Sequence, residues 1–245
     1  QLFIPCFVDQ LYPDTAFNMI KVLEKAGCTA HYNTRQTCCG QAAFNAGYWD
    51  ESKAVCQKFI EDFKGTDPIV APSASCVGFV KNYYTRLFDN SSLHHEVQEI
   101  KQRTFEFSSF LCNQLGVTQF GARLKGLATY HDSCAGLREC GIKEEPRKLL
   151  RNVEALDMIE MSDTETCCGF GGTFAVKFEN ISVAMAEQKV EQALATKADY
   201  LISTDLSCLM HLNGYIQQKG YSLKTLDRKS TRLNSSHEWI SRMPS

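Results

Sequence analysis

Apolar residues along this chain fall into two alternating kinds of run. Short continuous runs stand at Leu2-Phe3-Ile4, 29–32, Ile69-Val70-Ala71, 127–130, 156–161 and Tyr200-Leu201-Ile202. Each is too short for a helix and reads as a buried strand. Between them, apolar positions recur every three or four residues. Phe17, Ile20, Val22, Leu23 and Ala26 form one such helical face, closed by Gly27. Further helices are predicted over about 41–63, after Cys76, and over 95–115, 146–152 and 179–196. Strands alternating with helices predict an α/β fold with largely parallel sheets, since a parallel pair needs a crossover connection.

The pattern occurs twice. The expected organisation is a first lobe over 1–92, a bridging helix and linker over 93–123, and a second lobe over 124–226. Each lobe is expected to hold a mostly parallel sheet flanked by helices. Residues 227–245 have no apolar periodicity. The stretch 227–237 back-translates to a common short-read sequencing adapter, so this tail is expected to be non-native and disordered. The chain opens at Gln1 rather than methionine. The expectation is that the natural start and end both lie outside this sequence.

Composition narrows the class. The chain is 44% hydrophobic and 22% charged, enough to bury a core. A formal charge of −2 argues against a nucleic-acid surface. The tail carries Arg228, Lys229, Arg232 and Arg242 against Asp227 and Glu238, so the remainder is more acidic still. No run approaches the roughly 20 apolar residues of a membrane span, and no secretory signal opens the chain. Twelve cysteines then change the picture. Long amphipathic helices without an export signal favour metal-bound thiolates in a reducing compartment over a disulfide scaffold.

The cysteines repeat with the strands. Cys6 is followed after 31 residues by Cys38-Cys39-Gly40, and 36 residues separate Cys39 from Cys76. Cys134 is followed after 32 residues by Cys167-Cys168-Gly169, and 39 residues separate Cys168 from Cys208. All eight fall just past strand ends, where open α/β sheets hold ligands. Four thiols per lobe suit zinc or an iron–sulfur cluster. The close Cys-x-x-Cys knuckles usual in structural zinc sites are absent. Vicinal thiols could also act directly in disulfide exchange. A four-thiolate cluster is anionic, and Gly40, Gly169, Gly171 and Gly172 would let backbone N–H groups approach it. A helix starting after each Cys-Cys-Gly would add its positive end. The run Gly169-Phe170-Gly171-Gly172 is not a dinucleotide fingerprint, because Phe174 stands where that motif needs Gly or Ala. No other flavin or nicotinamide motif is found.

The double pattern resembles the cysteine-rich CCG domain found in heterodisulfide reductases and in the iron–sulfur component of glycolate oxidase. It is more similar to the L-lactate utilization protein A (LldE-like) family. In the first half the likeness rests on Ile4-Pro5-Cys6-Phe7-Val8-Asp9, Gln36-Thr37-Cys38-Cys39-Gly40-Gln41 and Asn45-Ala46-Gly47-Tyr48. In the second it rests on Tyr130-His131-Asp132-Ser133-Cys134, on 166–174 and on Asp205-Leu206-Ser207-Cys208-Leu209. The resemblance spans 2–226. It implies a cytoplasmic iron–sulfur protein acting with two partners, a ferredoxin-like iron–sulfur protein and a third subunit, in oxidising L-lactate to pyruvate. The expected ligands are Cys6, Cys38, Cys39 and Cys76 for one cluster, and Cys134, Cys167, Cys168 and Cys208 for the other. Full CCG motifs end in Cys-x-x-Cys and offer five cysteines to a noncubane cluster. Here Ser73 and Asp205 stand at the earlier position. Each lobe keeps four thiols, which favours an ordinary [4Fe–4S] cluster and weakens the case for disulfide-reductase chemistry. A heterodisulfide-type enzyme and a structural zinc module remain the alternatives, and no catalytic residue is assigned.

Residues beside the thiols carry two readings each. His131 is a proton shuttle, a cluster hydrogen-bond donor or a ligand, or a loop histidine satisfied by backbone; His211 is read alike. Ser73 and Asp205 are oxygen ligands, or caps of the helices that follow. Cys28, Cys56 and Cys112 read as core, and Cys140 as core or a spare redox thiol. Phe44, Tyr48 and Phe174 read as packing around the sites. Arg35, Arg138 and Lys177 read as solvated surface, or as cations that attract a carboxylate or a partner's acidic face.

Overall fold

Two parallel sheets of the same strand order carry the molecule, as seen in a computed structural model that describes residues 1–227. The adapter reading of the tail, beyond Asp227, lies outside the described residues. The first lobe runs α1 (Cys6–Leu11), α2 (Pro13–Lys25), α3 (Gln41–Asn45), α4 (Trp49–Asp62) and β1 (Ile69–Ala71). It continues through α5 (Ala74–Asn82), α6 (Tyr84–Leu87), α7 (His94–Arg103) and β2 (Thr104–Glu106). A short α8 (Phe107–Ser109) and a π-helical turn (Phe110–Gln114) lead to β3 (Arg123–His131). The second lobe then has a π-helical turn (Ala135–Glu139), α9 (Glu144–Arg151), β4 (Glu154–Met158), α10 (Thr173–Lys177) and α11 (Glu179–Ala195). It closes with β5 (Tyr200–Ser203), α12 (Leu206–Lys219) and β6 (Lys224–Asp227).

The second sheet has the order β4-β3-β5-β6, all parallel. In the first, β1 pairs with β2, and single parallel bridges place Leu2 beside Val70 and Tyr32 beside Leu2. The order is therefore the same: Tyr32, Leu2, β1, β2. The registers also correspond. Leu2 faces Val70 as Tyr130 faces Ile202. Burial on both faces explains why the strands read as unbroken apolar runs; Ile69, Val70 and Ala71 are all buried.

Three expectations change. The helix predicted over 41–63 is two helices, because Gly47 takes a φ of +90° between them. The helix predicted over 95–115 ends at Arg103, and β2 follows it and completes the first sheet. The fourth strand of the second sheet, β6, was not anticipated either.

One core spans both lobes. Val8, Met19, Val22 and Leu23 of the first share a cluster with Leu206, Leu209, Leu212 and Ile216 of the second. The π-helical turn at Ala135–Glu139 lies so close on α5 that a Cβ on Gly78 would sit 2.5 Å from the Glu139 Cβ.

Candidate metal centres

In both sheets the loops after the first, second and third strands leave on the same edge, and each brings cysteine. Cys6 opens α1, Cys38 and Cys39 precede α3, and Cys76 lies in the first turn of α5. Cys134 precedes its π-helical turn, Cys167 and Cys168 follow β4, and Cys208 lies in the first turn of α12. The thiols form one hydrogen-bonded row per lobe. Cys6 meets Cys38, Cys38 meets Cys39, and Cys39 meets Cys76. Cys134, Cys167, Cys168 and Cys208 repeat that row. None is in a disulfide.

The second thiol of each row is the acidic one. Hydrogen bonds from Cys39 and Cys6 hold Cys38 well below the usual thiol range, and Cys134 and Cys168 do the same to Cys167. The Gly40 N–H reaches the Cys38 Sγ at 3.3 Å, and the Gly169 N–H reaches the Cys167 Sγ at 3.4 Å. The outer thiols, Cys6 and Cys134, are pushed up by donating to their neighbours and by burial.

Gly40 and Gly169 adopt φ values of +92° and +91°, which side chains other than glycine rarely tolerate. They also press against the following long helix. A Cβ at Gly169 would lie 2.6 Å from the Ser182 carbonyl oxygen; one at Gly40 would lie 2.9 Å from the Cys56 Sγ. The same serine clasps both loops: Ser52 Oγ donates to the Gly40 carbonyl at 3.0 Å, and Ser182 Oγ to that of Gly169 at 2.8 Å. Gly171 and Gly172 form the turn into α10.

The supports differ between lobes. In the first, the Gln36 side chain accepts from the Ile4 N–H at 2.7 Å and donates to Leu2 and Asn33 carbonyls. In the second, Arg147 donates two hydrogen bonds to the buried Asp132 carboxylate, at 2.9 and 2.8 Å, and two more to Glu160. Its guanidinium also lies 4.9 Å from the Tyr130 ring centroid. Arg147 was not singled out in the sequence, where it reads as one more cation on an amphipathic helix.

The flanking residues sort cleanly. His131 is fully buried, and neither ring nitrogen has a hydrogen-bond partner among the described residues. The Thr164 backbone lies near enough to act on the ring, without a hydrogen bond of full geometry. One of its nitrogens and the thiols of Cys168 and Cys208 lie within 4.8 Å of one another. Burial drives its pKa down to about 4, with Lys189 adding to the effect. His211, by contrast, is satisfied by the hydroxyl and carbonyl of Ser182, at 3.1 and 3.2 Å. Ser73 and Asp205 do not cap their helices. Ser73 Oγ instead donates to the Asp205 carboxylate at 2.9 Å, joined by Ser133 at 3.1 Å. Cys56 is buried, while Cys28 and Cys112 are half-buried against the shared core. The Cys140 thiol donates to the Ala74 carbonyl at 3.4 Å. Phe44 packs on Trp49 and Phe79, and Phe174 on Phe178, but Tyr48 is exposed. Arg35 pairs with Asp62.

Two α/β lobes on one core, each with a four-thiol row at the carboxyl ends of its strands, define a duplicated cysteine-rich domain protein. The cysteine-rich CCG domain matches twice, over residues 1–81 and 128–213. The chain belongs to the lactate utilization protein A family. It is 41% identical over 225 residues to lactate utilization protein A of Halalkalibacterium halodurans, and 38% identical over 225 residues to that of Oceanobacillus iheyensis. Each match covers 92% of this chain and 92% of the relative. Among solved structures, a glutamate racemase isoform from Bacillus anthracis overlaps 94% of this chain and 77% of its own, at 12% identity and a TM-score of 0.34. Among the described residues, no helix is long and apolar enough to cross a membrane.

Proposed function

We propose that the chain is an electron-carrying iron–sulfur subunit of a multi-protein system that oxidises L-lactate to pyruvate, the use of lactate being what its relatives are named for. The observation that carries this reading is the pair of matching thiol rows. The donors fit a cluster on three counts: four contiguous thiols per lobe, a glycine N–H aimed at sulfur, and an unpartnered imidazole beside two sulfurs of the second row. Cys6, Cys38, Cys39 and Cys76 would hold one [4Fe–4S] cluster, and Cys134, Cys167, Cys168 and Cys208 the other. When bound, each supplies one-electron chemistry, so two lobes match the two electrons that lactate releases.

The chain's own residues prepare and enclose these sites. Cys38 and Cys167, held toward thiolate, offer the first ligand without an external base. Cys39, Cys168 and Cys208 are buried and exclude water, while Cys6 is exposed and leaves the first site open on one side. Hydrogen removal from lactate falls to a partner; a ferredoxin-like iron–sulfur protein and a third subunit would complete the system, in the cytoplasm.

A second reading is zinc, favoured by the close approach of His131, Cys168 and Cys208. Anaerobic purification with metal and acid-labile sulfide assay decides between them. The expected result is a brown protein with about eight irons and eight sulfides per chain. A colourless protein with zinc and no sulfide would overturn the electron-carrier reading. Turnover of a disulfide by the metal-free chain would point instead to direct thiol chemistry.

A further inference from the structure

The two thiol rows match, but what stands behind them does not. Three residues before Cys6 lies Phe3, and three before Cys134 lies His131. Strand register makes them equivalent, since Leu2 faces Val70 as Tyr130 faces Ile202. Seven residues beyond the clasping serines, Ser52 and Ser182, lie Phe59 on α4 and Lys189 on α11. Phe3 and Phe59 touch edge to face, with centroids 4.8 Å apart, and both are buried. In the second lobe the corresponding pair is His131 and Lys189, each with 0% of its surface exposed.

A buried ammonium normally has a carboxylate partner. Lys189 has no ion pair among the described residues; its hydrogen bond is to the Asp163 carbonyl oxygen. The nearby Asp132 carboxylate is taken by Arg147, and that of Asp163 by Thr166 and the Glu165 N–H. The Asp163 carboxylate, its hydrogen bonds being to neutral donors, still acts on Lys189 through space, and so do the acidic groups of Cys168 and Cys167. His131 likewise has two ring nitrogens without partners and two cage sulfurs beside it.

We propose that Lys189 and His131 are a counter-charge and a hydrogen-bond donor built behind the second cage, which makes the two cages unequal. Negative charge on a group in the second lobe is met by an ammonium and an N–H; in the first it is met by two phenyl rings. Positive charge and N–H donors near sulfur raise a cluster's reduction potential. A single electron leaving the first site and arriving at the second therefore moves downhill, with no bond made or broken. This inference rests on reading the cages as iron–sulfur sites.

The test is a potentiometric titration followed by electron paramagnetic resonance on the anaerobically reconstituted full chain. A chain with Cys38→Ser and Cys39→Ser assigns the second-lobe signal. Lys189→Met should make reduction of that cluster at least tenfold less favourable, 59 mV for one electron, and leave the first unchanged. Lys189→Arg should restore it. With both clusters loaded, no shift or an equal shift in both would overturn the proposal. A second measurement needs no cluster. Lys189 forms no ion pair among the described residues, and replacing a buried charge that lacks an ion-pair partner by an apolar isostere stabilises a fold. Lys189→Met should therefore raise the melting temperature of the metal-free chain and reduce the gain on loading iron–sulfur or zinc. Destabilisation of both states would mean that Lys189 only ties down the Asp163 loop, and would overturn the proposal. Zinc loading with that sign inversion would sink the iron–sulfur reading and keep the counter-charge.

Discussion

Gly40 and Gly169 occupy the same place in the two lobes, yet their surroundings differ in compliance. A methyl group at Gly169 meets a main-chain oxygen; at Gly40 it meets first a thiol that can rotate. Each substitution to alanine also forces a left-handed conformation, at about 1–2 kcal/mol. Gly169→Ala should thus destabilise the metal-free chain by more than Gly40→Ala in urea unfolding, and lower metal content in the second lobe first. Equal losses would show that backbone conformation alone matters. At this scale the thiols were legible in the sequence because cysteine spacing needs no knowledge of packing. The state of His131 was not, because a missing hydrogen-bond partner is a property of what surrounds a residue.

Elements place these residues, and they were legible unevenly. Three strands of the second lobe and β1 of the first were readable as short apolar runs, while the runs at Leu2 and Tyr32 form only single bridges. The fourth was missed both times, as β2 and as β6. Each is an edge strand of three or four residues, Thr104–Glu106 and Lys224–Asp227, with too few apolar positions to signal a strand. The junctions between elements carry their own energetics. Arg147 on α9 ties the loop after β3 to the residues after β4 through Asp132 and Glu160. Removing the cation leaves the Asp132 carboxylate buried and unpaired, which costs about 3–5 kcal/mol. Arg147→Met should show that loss in urea unfolding, and adding Asp132→Asn should recover part of it. A loss under about 1 kcal/mol would mean the pair behaves as an exposed one.

The whole molecule is organised by the contact between lobes. The positions where a full CCG motif would place its extra cysteine are Ser73 and Asp205, and they bond to each other across that contact. Asp205 is 2% exposed and also accepts from Ser133 and Ser75. Hydrogen bonds to a charged group contribute about 1.5–3 kcal/mol each, so Asp205→Ala should cost on the order of 2 kcal/mol or more. Because one core spans both lobes, the calorimetric trace should keep a single transition at lower temperature. Two separate transitions would show lobes that unfold independently.

Periodicity and cysteine spacing by themselves determined the repeat, the α/β class and the eight thiols at strand ends. Those are local signals, set by the two-residue and 3.6-residue periods of the backbone and by where a strand stops. Tertiary structure alone decided that Ser73 meets Asp205, that Arg147 holds a buried carboxylate, and that one thiol row is backed by phenyl rings and the other by Lys189 and His131. Burial and pairing are through-space properties. A lysine inside an amphipathic helix reads as solvated until the loops after β3 and β4 are folded around it.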